Sequence, residues 1–112
     1  MENNETFEYY YNKYGERPVR GKASISLNPD RYIEINKTHQ EIVFSNDIHA
    51  SYWHRLDGPA YISSCGNEWW INDNGVTEEI TQWAKENDID LDNLTSENIN
   101  LIKIIWSDYG KT

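Results

Sequence analysis

Cysteine is almost missing from this chain. Cys65 stands alone, so no intramolecular disulfide can form. No run of about 18 apolar residues is present, so no transmembrane helix is expected. The first twelve residues, MENNETFEYYYN, are acidic and polar. They lack the basic start and apolar stretch of a signal peptide, and an export signal is not expected. A chain of this kind is expected in a reducing cytosol. Bases are scarce where acids are dense. Between Gly66 and Ile102 only Lys85 opposes Glu68, Asp73, Glu78, Glu79, Glu86, Asp88, Asp90, Asp92 and Glu97, so this stretch carries −8 of the net charge of −9. Such a lobe repels phosphate backbones and anionic lipid, which argues against direct nucleic-acid or membrane binding and favours a basic partner surface. No glycine-rich phosphate loop occurs. His39, His49, His54 and Cys65 show no paired metal-ligand spacing, so neither zinc nor any cofactor is expected.

Aromatic residues are plentiful by contrast, with 5 Trp and 8 Tyr among 112 residues, a length that suits one domain. The first two thirds of the chain alternate with period two, as half-buried strands do. TFEYYYN (6–12), KASISLN (22–28) and RYIEINK (31–37) carry that alternation; EIVF (41–44) and IHASYWH (48–54) continue it less cleanly. The polar breaks between them are short, which favours antiparallel neighbours in a meander. The last third changes period. Thr77 is placed to cap a helix over EEITQWAKEN (78–87), whose Ile80, Trp83 and Ala84 form one stripe. A second helix is expected after Thr95, with Leu94 and Ile99 at staple spacing. Ile99, Ile102, Ile105, Trp106 and Tyr109 would line one side of it, and Gly110 suits its end. The expectation is one α+β domain over 1–112: β-hairpins over 1–75, then two amphipathic helices over 76–112 packed on or beside the sheet.

The segment 54–75, HRLDGPAYISSCGNEWWINDNG, is the busiest. Gly58-Pro59 fixes a turn. Ala60–Ser63 reads as a strand, Cys65-Gly66-Asn67 as a turn, and Glu68–Ile71 as the returning strand. A faint copy lies 37 residues earlier, RGKASI (20–25) against DGPAYI (57–62) and NPDRYIEIN (28–36) against CGNEWWIN (65–72). HRLDGPA followed by EWWIN-D-NG resembles the His-Arg-x-Asp-Gly-Pro-Ala … Trp-(Tyr/Trp)-x-Asn-Gly hairpin repeat, MORN-like, of uncharacterised tailed-phage and bacterial proteins. The stretch from Ile80 to Gly110 is similar to the helical tail that follows such repeats. Two departures, Ser63-Ser64-Cys65-Gly66 in place of a polar run and Asp73 inserted before Asn74-Gly75, bear on hairpin register. The resemblance implies a phage or mobile-element origin and no particular reaction.

His54 and Asp57, three residues apart, could serve as a base and its orienter. No nucleophile is fixed beside them, and a recurring turn explains His54, Arg55, Asp57, Gly58 and Pro59 as a structural motif. Asp88, Asp90 and Asp92 match the first, third and fifth positions of a calcium loop. Asn93 stands where that loop needs Gly, however, and Ile99 where it needs a bidentate Glu. Partner contact falls to Tyr52, Trp53, Trp69 and Trp70, and to Glu78, Glu79, Asp88, Asp90 and Asp92. Trp69 and Trp70 must point to opposite faces of their strand, so one of them can enter the core. The expectation is a cytoplasmic, non-enzymatic protein, in the host cytoplasm if phage-encoded. It would mask the basic surface of a host protein, for instance a nucleic-acid-binding one, in the manner of a counter-defence, anti-CRISPR-like inhibitor. The alternatives are a toxin-immunity protein, a structural or assembly protein, and a small hydrolase using His54 and Asp57.

Overall fold

Ile33 and Ile35 are buried while Tyr32, Glu34 and Asn36 are half-buried, the pattern of a strand with one face on a core. The structure, a computed structural model, describes residues 6–14, 22–28, 31–46 and 52–111. It places Ile33 and Ile35 in β2 (Arg31–Asn36), between β1 (Lys22–Asn28) and β3 (Glu41–Ser45). β4 (Tyr61–Ser63) and β5 (Gly66–Glu68) extend the sheet in the order β1-β2-β3-β4-β5, each pair antiparallel. The meander expected from short connections is present, and the fold is α+β.

The first aromatic run departs from expectation. TFEYYYN is helical, within α1 (Phe7–Tyr14). Phe7, Tyr10, Tyr11 and Tyr14 also satisfy i, i+3, i+4, i+7, and this set packs on the sheet. Tyr10 meets Phe44 edge-on at 5.5 Å, and Thr6 Oγ1 accepts the Tyr9 amide. A seven-residue run fits either period, and burial of one aromatic stripe decides between them. IHASYWH is corrected too. Residues 48–51 lie outside the described residues, and the remainder contributes a single bridge, Ser45 to Trp53.

The hairpin after Pro59 is shorter than expected. β4 turns through Ser64-Cys65 into β5, which ends at Glu68. Trp69 leaves the ladder, and the chain starts a second hairpin of β6 (Trp70–Ile71) and β7 (Asn74–Gly75). Asn72 and Asp73 both have positive φ, 51° and 64°, as a two-residue turn of the favoured hairpin hand requires. The inserted Asp73 is thus one of the two turn residues. The two longer hairpins also differ in backbone register: Ile25 pairs with Ile33, whereas Ile62 pairs with Asn67.

α2 (Thr77–Glu86) and α3 (Ser96–Trp106) follow. Their buried Ile80, Ile102 and Trp106 form a second core with Trp69, Ile71 and Val76. The helical core therefore begins at Trp69, ahead of the expected division at 75/76. α3 begins as expected, with Thr95 and Asn98 in a reciprocal capping box. Its stripe is narrower than expected, since Ile105 and Tyr109 are exposed. The helix ends at Trp106, and Gly110 takes its left-handed φ of 74° in the turn beyond. α2 corrects another expectation. Its N-cap is Val76, with no side-chain cap; Thr77 Oγ1 instead accepts the Trp69 amide at 3.0 Å. That amide left the β5 ladder and needs an acceptor. Thr77→Val is expected to cost about 1–3 kcal/mol, the penalty of an orphaned buried donor. Amide exchange at Trp69 should quicken in step with it.

Candidate functional site

The segment after the Ser45–Trp53 bridge runs antiparallel beside the end of β3. The His54 amide bonds the Phe44 carbonyl and the Arg55 amide bonds that of Trp70. This brings Arg55 inward, where it is 6% exposed. Its guanidinium lies 3.9 Å from the Phe44 ring centroid, donates from Nε to Asp57 Oδ1 at 2.8 Å, and donates from Nη1 to the Pro59 carbonyl at 3.0 Å. Arg31 on β2 completes the cluster with a two-pronged contact to Asp57 at 2.8 and 2.9 Å. Burial pushes the Asp57 pKa up, but Arg55 and Arg31 overcome it and hold the carboxyl at about 2. Gly58 is required because a Cβ there would meet the Arg55 guanidinium. Arg55, Asp57, Gly58 and Pro59 therefore form one structural unit. Arg31 had no local signal: it lies 26 residues from Asp57, and only the β2 register brings it near.

His54 is oriented by the backbone. Its Nδ1 accepts the Asn72 amide at 2.9 Å, which leaves Nε2 as the protonated nitrogen of the neutral ring. Burial, then the charge of Lys111, lowers its pKa. Asp57 is engaged by the two arginines, so His54 and Asp57 are not joined as base and orienter. Asn72 in turn donates to the Ser107 and Tyr109 carbonyls, pinning the second hairpin to the end of α3.

The aromatic candidates divide. Trp69 is 5% exposed and belongs to the helical core, so its place among partner-binding residues is corrected. Trp70 points the other way, against the sheet core. Trp53 stacks on Tyr61 at 5.4 Å and 5° and meets Trp70 edge-on at 5.1 Å. These rings and Tyr52 are half-buried.

Glu78, Glu79, Asp88, Asp90 and Asp92 are all exposed. Two of them also shape the chain. Asp88 has a φ of 54°, and the Ile89 and Asp88 amides bond the Ala84 and Lys85 carbonyls, a Schellman ending for α2. Asp90 Oδ1 accepts the Asp92 amide. Among the described residues no group of three His, Cys, Asp or Glu side chains is placed to hold a metal ion. Among them, too, no helix is long and apolar enough to cross a membrane. Comparison with family models, curated proteins and solved structures finds no match.

Proposed function

We propose that this protein is a non-enzymatic cytosolic binding protein that masks a basic surface on a protein partner. The observation that carries the reading is the exposure of Glu78, Glu79, Asp88, Asp90 and Asp92 within a stretch whose single base is Lys85. Beside them opens a groove of about 570 Å³ lined by Asp90, Asp92, Leu91 and Leu94 and by the α2 residues Thr81 and Lys85. An apolar lining next to carboxylates suits the long stem and cationic head of a lysine or arginine. The engaged state of His54 and Asp57 favours binding over hydrolysis. The resemblance of residues 54–75 to a phage hairpin repeat supplies a setting: a phage-encoded inhibitor of a host nucleic-acid-binding protein, whose phosphate-binding surface is basic.

Capture from bacterial lysate tests this. The wild type is compared with a variant carrying Asp88→Asn, Asp90→Asn and Asp92→Asn. Asn tolerates left-handed φ and keeps a side-chain carbonyl, so both turns persist while the charge goes. The wild type is expected to retain a basic protein that the variant releases. Equal retention by both, or no basic protein on either, would contradict the proposal.

A further inference from the structure

The chain is acidic, and among the described residues one cavity runs against that character. Arg31 on β2, His54, Arg55 and Asp57 from the segment after the Trp53 bridge, and Lys103 on α3 line a cavity of about 390 Å³. Three of these side chains carry a fixed positive charge and one a negative charge. Among the described residues the lining thus carries a surplus of positive charge, in a chain whose net charge is −9. Asp57 does not use up the donors. Its oxygens are shared between Arg31 and Arg55, and each Arg31 Nη carries a second N–H that Asp57 does not take. His54 Nδ1 is taken by the Asn72 amide, so Nε2 remains as a donor. Lys103 comes from a different element and pairs with no carboxylate among the described residues.

A structural role explains Arg55 and Asp57. It does not explain why a third cation stands at the same cavity. An oxygen acceptor with negative charge accounts for it. Guanidinium and ammonium donors grip phosphate and carboxylate oxygens with short, charge-assisted hydrogen bonds. The volume exceeds what a bare ion fills and falls within the range of small-molecule sites. Leu56 adds an apolar wall. We propose that this cavity is a binding site for the phosphate or carboxylate group of a small organic anion, held by Arg31, His54 and Lys103. Distant acids do not forbid it, because salt screens charges beyond about 8–10 Å. The site is distinct from the acidic face, so its test can fail without touching the masking proposal.

The experiment is a nuclear magnetic resonance titration of the intact protein with sodium phosphate and, separately, sodium acetate. Sodium chloride at matched ionic strength is the reference. Either oxyanion is expected to shift the signals of Arg31, His54 and Lys103 beyond the chloride effect. The stronger of the two identifies the group as phosphate or carboxylate. Lys103→Met removes one charged donor from an exposed helix position, so the fold is retained, and is expected to weaken binding about tenfold. Lys13→Met, on α1 and outside the cavity, is expected to change nothing. Oxyanions that shift these signals no more than chloride does would overturn the assignment. So would equal weakening by the two methionine variants.

Discussion

Asp57→Ala is expected to destabilise the protein by about 3–5 kcal/mol, the cost of removing one member of a buried, hydrogen-bonded ion cluster. Arg55 is nearly inaccessible to water, and its Nε would lose its acceptor while its position over Phe44 keeps it from moving out. Thermal unfolding should move down by about 15 °C or more. The same ion cluster sets an acid limit. The Asp57 pKa is about 2 in the folded protein against an ordinary value of 3.8. A carboxylate with a depressed folded pKa contributes stability that is complete above its unfolded pKa and is lost as pH falls through the folded one. The wild type is therefore expected to lose about 1–2 kcal/mol between about pH 4 and pH 2, allowing for solvent screening of a partly exposed group. Asp57→Asn should lack that acid step. Denaturant melts across this range measure both effects.

Trp69→Ala and Trp70→Ala are adjacent and are expected to behave very differently. Trp69 lies in the core that unites β6 with α2 and α3, and its truncation should cost about 3–5 kcal/mol. Trp70 is half-buried, packs on the sheet side and donates from Nε1 to Glu68 at 2.9 Å. Its truncation should cost about 1–2 kcal/mol, the loss of ring contacts and partial burial. Equilibrium unfolding of the two variants decides the matter. Similar losses would mean that the division of the two rings between separate cores is wrong.

Local chemistry made much of this fold legible. The period of two at Ile33 and Ile35 and the Thr95 capping position each lead directly to an observed element. The opposite orientation of Trp69 and Trp70 follows from strand geometry, although which ring is buried does not. The failures have a common cause: tertiary partners chose between locally equivalent options. Phe7 to Tyr14 fits a strand or a helix until the sheet offers a face for its aromatic stripe. Thr77 suits an N-cap until the amide of Trp69 claims its hydroxyl. Arg31 and Lys103 join His54, Arg55 and Asp57 only through register and helix packing, which no short motif encodes. The acidic stretch was legible as charge, whereas the turns that Asp88 and Asp90 build in it were visible only in part.

The masking mechanism rests on the acidic face steering encounter with a basic partner. The most direct test is the association rate constant for the captured partner at low and high salt. The wild type and the Asp88→Asn, Asp90→Asn, Asp92→Asn variant are compared. Exposed charges accelerate association and are screened over about 8–10 Å at ordinary salt. The wild type is expected to associate faster at low salt, by about tenfold or more, and to slow steeply as salt rises. The variant should associate slowly with a flat salt dependence, while dissociation changes little. Identical association rates and salt slopes for the two proteins would show that the acidic face serves solubility alone, and would contradict the account.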